Sequence, residues 1–479
     1  MKRPIRLMKF GGTSMGDATC IKRAAEIVAA SAKESAVVVV VSAMEGVTNR
    51  LVAAAQSSVE GDTHASEKLA DELRRQHFEC VDLLVAADQK RSELKNEIEN
   101  IIHEGANFCR GTSLLRELTP RTLDTISSVG ERLSARLLAS ALRELNINGV
   151  AIDATALIVT DGAAGRAEPL INPTRDRTKT TLEPVINNDG VPVVTGFIGA
   201  SEKGTLTTLG RGGSDYSATV LAAALNAEEV IIWTDVDGVL TADPRLVPEA
   251  RTLGEISYNE AAELAYFGAK VLHPKTLRPV SEAGIPVWIR NSFAPDRAGT
   301  KITRTGHPAG RGVKAITAIR DVTLITVGGR GMVGVPGVAA KTFAAAANAR
   351  ANVLLISQSS SENDICFIVN TADASSTVEK LREVFAFDIQ SAALKDIEHI
   401  TVDPEIAIVA VVGDRMRGMP GIAGRTFSAL GKRGVNIIAI AQGSSEYNVS
   451  FVVHSDSMAE AVQELHKEFG LMRSDYSKV

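Results

Sequence analysis

No apolar run in this chain approaches the roughly 20 residues that a membrane-spanning helix needs. Positive charge is not in excess either: 52 Lys and Arg stand against 57 Asp and Glu, a formal net charge of −5. The basic footprint of a nucleic-acid binder is therefore missing. Any site for an anionic ligand must be basic locally, because the field of the whole chain would not attract one. The 4 cysteines, Cys20, Cys80, Cys109 and Cys366, are scattered without metal-ligand spacing. They fit the reduced, buried thiols of a cytoplasmic protein. Met1-Lys2-Arg3-Pro4-Ile5 runs directly into a strand pattern with no apolar core of a secretion signal. The expectation is a cytoplasmic chain with neither a membrane nor a nucleic-acid partner.

What the chain does have is length and glycine punctuation. Its 479 residues exceed one hydrophobic core, so two or three domains are expected. Leu209-Gly210-Arg211-Gly212-Gly213-Ser214-Asp215 sets bare backbone N–H groups beside a planar guanidinium, an arrangement suited to carboxylate or phosphate. Ser214 is placed to cap the alanine-rich helix that follows, and a helix start behind a glycine loop is itself an anion site. The plainer alternative is a tight turn with a solvated arginine. Ile5–Phe10 reads as a strand broken by Gly11-Gly12-Thr13-Ser14, which puts Lys9 at a strand end beside a glycine turn. This is not a Walker A string. Lys9 either points at phosphate or snorkels off the strand end.

Val37 to Val41 is a β-branched run of the kind found in strands buried on both faces of a parallel sheet. Glu45-Gly46-Val47-Thr48-Asn49 follows at its C-terminal end, where open α/β sheets bind ligands. Glu131 opens a helix that runs to Leu145, complementing its dipole or holding a cation. Further strands are expected at Ala156–Val159, Val191–Phe197, Val230–Thr234 and Ile285–Ile289, and a helix from Tyr258 to Leu272 carrying Lys270. Thr234-Asp235-Val236-Asp237-Gly238 is a carboxylate-rich turn that could bind Mg²⁺ or a ribose, or simply turn the chain. Alternating β and α elements predict a doubly wound, mostly parallel sheet.

The C-terminal part repeats itself. Gly334-Val335-Pro336-Gly337 matches Gly418-Met419-Pro420-Gly421, Thr342-Phe343 matches Thr426-Phe427, and Gln358 matches Gln442, all at one offset of 84 positions. Each copy reads as a βαββα module. The glycine turn opens a helix and can hold an amino acid's carboxylate; Gln358 and Gln442 can add amide hydrogen bonds. The alternative is a duplicated dimerisation unit.

Met8-Lys9-Phe10-Gly11-Gly12-Thr13-Ser14 resembles the signature that opens aspartokinases, and Gly210-Arg211-Gly212-Gly213-Ser214-Asp215 resembles their second glycine loop. Thr234–Val239 and Phe267-Gly268-Ala269-Lys270-Val271-Leu272-His273-Pro274 are similar to their nucleotide-side segments, and the repeat resembles tandem ACT modules. The resemblance implies an α/β amino-acid-kinase-like domain over 1–300 and two α+β ACT-like domains over 316–398 and 404–479. It implies ATP with Mg²⁺ as cofactors and L-aspartate as substrate, phosphorylated on its β-carboxylate, the first step toward lysine, threonine and methionine. With the chain ending after the second module, a monofunctional member is expected, without the homoserine dehydrogenase that some relatives carry.

By the same resemblance Lys9 and Asp215 are catalytic, Arg211 clamps the α-carboxylate, and Glu131 holds the α-ammonium. Ser42, Thr48, Phe197 and Ser214 join the aspartate pocket. Gly11, Gly12, Thr234, Asp235, Leu240, Arg245 and Lys270 lie on the nucleotide side with Lys9. Leu240 stands where the family's tyrosine is expected, keeping an apolar wall but losing the ring. Met332, Gly334, Gln358 and Gln442 are the effector candidates. Threonine is the favoured effector, with lysine, joint or absent control as alternatives, and a homo-oligomer, dimer or tetramer, is expected through the ACT modules. A rival reading is a non-catalytic amino-acid sensor, which the presence of both Lys9 and Asp215 opposes.

Overall fold

The computed structural model describes residues 3–268, 272–306, 312–332, 334–358, 363–386, 397–414, 416, 419–441 and 447–472. The chain forms two compact units, one of Met1–Val239, Thr252–Ala262 and Val271–His307, the other of Leu240–Arg251, Glu263–Lys270 and Pro308–Val479. Among the described residues no helix is long and apolar enough to cross a membrane.

The strands of the first unit are β1 (Ile5–Phe10), β2 (Ala36–Val41), β3 (Gly149–Ile152), β4 (Val159–Thr160), β5 (Val191–Thr195), β6 (Ile198–Ser201), β7 (Leu206–Thr208), β8 (Glu229–Thr234), β9 (Glu255–Ser257), β10 (Val287–Asn291) and β11 (Thr300–Thr303). Eight of them make one sheet of order β3-β5-β2-β1-β8-β10-β11-β9; β4, β6 and β7 make a small second one. From β3 to β10 the large sheet is parallel throughout. Its centre is β2, where Val38 to Val41 are all fully buried, as a strand covered on both faces requires.

The helices are α1 (Ala18–Ala32), α2 (Val47–Val59), α3 (Ala65–Leu84), α4 (Asp88–Leu115), α5 (Pro120–Ser127), α6 (Val129–Glu144), α7 (Ile171–Asn187), α8 (Gly213–Leu225), α9 (Tyr258–Tyr266) and α10 (Pro274–Ala283). Residues of α1, α2, α3, α4 and α6 share one apolar core with Met8 and Phe10 of β1 and Ile231 and Trp233 of β8. α8 lies against β1, β2 and β8 and packs on α7 and α10. The sheet is thus wound on both faces. Because β1 has β2 on one side and β8 on the other, the crevice at its C-terminal end is where such folds take ligands.

Two expectations need correction. Ala156–Val159 is not a strand: β3 ends at Ile152, Ala154–Ala156 is a 3₁₀ turn, and Val159 enters β4 of the small sheet. The Ala154 N–H donates to buried Thr195 Oγ1 at 2.8 Å, which draws the chain out of the large sheet. The helix from Tyr258 stops at Tyr266, and Gly268 follows at φ 94°.

In the second unit β12 (Gly312–Gly328), α11 (Val338–Asn348), β13 (Leu355–Gln358), β14 (Asp364–Asn370) and α12 (Thr371–Val384) form one module. β15 (His399–Asp414), α13 (Ile422–Lys432), β16 (Ala439–Ala441), β17 (Asn448–His454) and α14 (Met458–Glu468) form the other. Both share a six-stranded sheet of order β13-β14-β12-β15-β17-β16. β12 and β15 are long because each serves both modules: Val322–Gly328 pairs with β14, and Gly312–Ile319 pairs with Ile408–Asp414 beside β17.

The repeat is faithful in three dimensions. Phe343 meets Phe367 edge-on at 5.8 Å, and Phe427 meets Phe451 in the same way at 6.0 Å. Thr342 and Thr426 each donate to the carbonyl one turn earlier at 2.9 Å. The segment 240–251 adds to this unit's second core through Ala242 and Val247. Thr241 Oγ1 lies 2.9 Å from Nε2 of buried His466.

Candidate active site

A cavity of about 680 Å³ in the first unit is lined by the ends of β1, β2 and β8 and by the glycine loop before α8. It gathers Lys9, Gly11, Gly12, Ser42, Thr48, Glu131, Phe197, Arg211, Ser214, Asp215 and Thr234, which the sequence scatters over more than 200 positions.

Lys9 is buried, and its Nζ lies 2.6 Å from Asp215 Oδ1. The lysine therefore does not snorkel. It is held at the mouth of β1 by a carboxylate on the first turn of α8. Gly11 completes the corner: its N–H donates to the Trp233 carbonyl at 3.2 Å, tying the glycine turn to β8.

The second loop must be glycine where it turns. Gly212 caps α8 at φ 70°, and a Cβ on Gly213 would stand 2.7 Å from the Phe197 ring. Ser214 is not the cap; it sits inside the first turn, where its side chain makes no capping bond. Phe197 itself adopts φ 69°, a costly conformation for a bulky residue. Ser217 holds it there, accepting the Phe197 N–H at 3.0 Å while donating to the Gly213 carbonyl at 2.9 Å. Upstream, buried Asp124 accepts from Thr208 N, Thr208 Oγ1 and Gly165 N at 3.1, 2.6 and 2.8 Å, fixing the strand that feeds the loop. Sequence reasoning singled out none of Asp124, Ser217 or the backbone of Phe197. Their only signal is a small or acidic side chain whose partners are remote in sequence.

Glu131 is 3% exposed, and its Oε2 has no hydrogen-bond partner among the described residues. Burial pushes its carboxyl up to about 8, against the pull of backbone N–H groups at Glu131 and Ala43 and of the Lys9 charge. The close approach is possible because Gly130 has no side chain; a Cβ there would meet that of Ala43 at 2.6 Å. Arg211 is exposed, and among the described residues no carboxylate pairs with it. The cavity thus presents a paired cation, a guanidinium that no carboxylate pairs among the described residues, and a buried carboxyl with one oxygen left unbonded.

The nucleotide-side candidates are less concentrated. Thr234 lines the cavity and donates to Asp235 at 3.1 Å. Asp237 accepts from Asn291 at 2.7 Å and from Arg297, which anchors the turn to β10. Leu240 and Arg245 belong to the second unit, where exposed Arg245 forks Asp243 at 2.6 and 3.0 Å. That fork holds the Asp243 carboxyl below its usual range. Lys270 and Gln442 lie outside the described residues.

In the second unit a cavity of about 330 Å³ gathers Met332, Gly334 and Gln358 with Val335, Pro336 and Ile365. Gly337 caps α11 at φ 97°, and the first N–H groups of that helix have no acceptor within the helix itself.

Residues 4–291 match the amino acid kinase family, and residues 325–385 and 409–469 each match the ACT domain. The lysine-sensitive aspartokinase 3 of Escherichia coli is 36% identical over 463 residues, covering 96% of this chain and 98% of its own. A crystal structure of E. coli aspartokinase III with aspartate and ADP superposes with a TM-score of 0.81 at 33% identity, covering 97% of this chain and 100% of that one. The bifunctional aspartokinase/homoserine dehydrogenase 2 of Arabidopsis thaliana is 35% identical over 474 residues. The chain spans about half of that relative's length, 51%.

Proposed function

We propose, on the premise that this chain belongs to the amino acid kinase family and within it to the aspartokinases, that it transfers the γ-phosphoryl group of ATP to the β-carboxylate of L-aspartate. The observation that carries the reading is the Lys9–Asp215 pair at 2.6 Å in a cavity that also holds Arg211 and the buried carboxyl of Glu131, one oxygen of which is left unbonded among the described residues.

The nucleophile is a carboxylate, ionised at neutral pH, so no general base is needed. The difficulty is bringing an anion against a polyanion, and catalysis is positioning with charge neutralisation. Arg211 clamps the α-carboxylate and Glu131 the α-ammonium. Ser42, Thr48, Phe197 and Ser214 close the pocket. Lys9, oriented by Asp215, neutralises the phosphoryl group in flight. Thr234 with Asp235 serves the nucleotide. Among the described residues no three His, Cys, Asp or Glu side chains form a metal cage. The Mg²⁺ that ATP carries would add charge neutralisation on the triphosphate. The test is a hydroxamate assay across amino acids: aspartyl hydroxamate should accumulate with ATP and L-aspartate. Phosphorylation of another acid, with none of aspartate, would overturn the reading.

Arg211→Lys should raise the aspartate KM by roughly tenfold to a hundredfold, because lysine loses the bidentate fork. The ATP KM and kcat should stay within a few-fold. Steady-state kinetics with each substrate varied in turn will separate the two effects.

The second unit is proposed to bind a feedback amino acid, threonine in preference to lysine, at the cavity of Met332, Gly334 and Gln358. The N–H groups at the start of α11 take the carboxylate, and the Gln358 amide donates to and accepts from a hydroxyl. No carboxylate lines this cavity among the described residues, whereas a lysine ε-ammonium would require one. Copies pair through this unit as a dimer or tetramer, and the effector acts by favouring one state of that assembly. Gln358→Ala should raise the half-inhibitory threonine concentration about tenfold. Inhibition by lysine alone, or unaltered threonine inhibition in the variant, would refute the assignment.

A further inference from the structure

A second cavity of the first unit, about 730 Å³, shares no lining residue with the active-site cavity. Its floor is one face of three adjacent strands: Arg6 and Met8 of β1, Ile231 and Trp233 of β8, Trp288 and Arg290 of β10. The side chains alternate along each strand, so all six point to the face on which α1 packs. Arg23 and Ile27 of α1 form the wall. The volume is that of a small-molecule site.

The chemistry of this floor is unusual for a surface groove. The chain has 2 tryptophans, and both are here. Trp233 is 3% exposed, stacked on Phe10 at 6.1 Å, and its Nε1 has no hydrogen-bond partner among the described residues. The Arg290 guanidinium lies over the Trp233 ring at 5.2 Å. One of its Nη atoms donates to the Pro295 carbonyl at 3.0 Å, but its buried Nε has no partner. No carboxylate stands within ion-pair distance of Arg290 or Arg23 among the described residues; Arg23 covers the Phe293 ring instead at 4.8 Å. By contrast Arg6 and Glu229 neutralise each other at 2.5 Å, and Glu229 also accepts from Trp288 at 2.9 Å. The groove therefore sets the guanidinium groups of Arg290 and Arg23, neither of them in an ion pair among the described residues, against an apolar, aromatic wall.

We propose that this groove is a binding site for a small aromatic monocarboxylate, with Arg290 as its anion partner and the tryptophan pair as its apolar wall. A planar carboxylate suits the guanidinium fork of Arg290. The ring gains burial and stacking on Trp288 and a cation–π environment from the arginines. A single negative charge is specified by the rim, where exposed Glu26, Glu34 and Asp296 repel a dianion. Occupancy would bear on the strand whose next residue, Thr234, lines the other cavity.

Both tryptophans report the event, so the test is a fluorescence titration of the full chain, checked by calorimetry. The probes are 3-phenylpropanoate, phenyl phosphate and the neutral 3-phenylpropanol. Saturable binding of 3-phenylpropanoate is expected, at least tenfold tighter than the alcohol or the phosphate. Arg290→Gln should weaken it at least tenfold while leaving the melting temperature and the phosphotransfer activity near wild type. Arg23→Gln, on the helix surface, supplies the same test should Arg290→Gln fold poorly. No saturable signal with 3-phenylpropanoate, equal binding of the alcohol, tighter binding of the phosphate, or indifference to both substitutions would each overturn the proposal. None of these outcomes depends on the kinase reading.

Discussion

Lys9→Ala is expected to lower kcat by roughly a thousandfold or more while the KM values for ATP and aspartate change far less. The magnitude follows from what the side chain does. Removing one preorganised donor that acts on charge developing in a transition state costs about 3–4 kcal/mol, two to three decades in rate. Lys9 carries a full charge in a largely buried position, so the upper end applies. On the proposed roles, ground-state binding is spread over Arg211, Glu131 and the glycine loops, so KM should be spared. The ion pair at 2.6 Å adds a second consequence. Without the lysine, Asp215 faces the incoming phosphates as an unneutralised anion. Lys9→Ala and Lys9→Met both remove the charge and should therefore both weaken ADP binding. The double variant Lys9→Ala with Asp215→Asn should recover part of that ADP affinity without recovering kcat. Rates within tenfold of wild type for Lys9→Ala would show that the pair is structural.

How much of this was legible beforehand differs with the distance over which each feature is written. The glycine loops and Lys9 could be read because their chemistry lies within a few consecutive residues. The valine run announced β2 for the same reason, since burial on both faces demands a continuous apolar string. The duplicated modules were legible because offset alone reveals them. What stayed hidden depends on partners far apart. Ser214 has the right residue type for a cap, but Gly212 takes the position because the loop needs a positive φ there. The strained backbone of Phe197 depends on Ser217, twenty residues later and on another element. Asp124 looks like any helix acid until Thr208 and Gly165 are brought to it. The interlock of β12 with β15 could not be seen either, because a long strand carries no mark of which half serves which module. The groove over Trp233 and Arg290 is of this kind: residues 57 positions apart become neighbours only through the parallel pairing of β8 with β10.

With Glu131 in its proposed place at the α-ammonium, aspartate recognition is expected to depend on pH in the direction that burial of its carboxyl sets. Burial raises its carboxyl from the ordinary 4.5 to about 8, so in the unliganded protein at pH 7 it is largely protonated. An ammonium group needs the carboxylate, hence aspartate binding must release a proton. Below the raised value, each pH unit lost costs about tenfold in apparent affinity. Between pH 8 and pH 6 the aspartate KM should rise roughly fiftyfold, with the ATP KM nearly flat. Glu131→Gln is isosteric and cannot ionise. It should raise the KM at pH 8 by two decades or more and abolish its pH dependence. The same shift has a thermodynamic side of definite sign. The folded state holds this proton more tightly than the unfolded chain, so stability contributed by the group is full below about 4.5. It declines as pH rises to 8, at about 1.4 kcal/mol per unit. Above 8 an unpaired buried carboxylate must be tolerated until an ammonium arrives. Aspartate should therefore raise the melting temperature more at pH 8.5 than at pH 6, and Glu131→Gln should melt above wild type at pH 8.5 in the absence of ligand. Thermal melts at both pH values, with and without aspartate, test the two together. A flat KM between pH 6 and 8, or a Glu131→Gln variant that melts below wild type at pH 8.5, would remove the buried carboxyl from aspartate recognition.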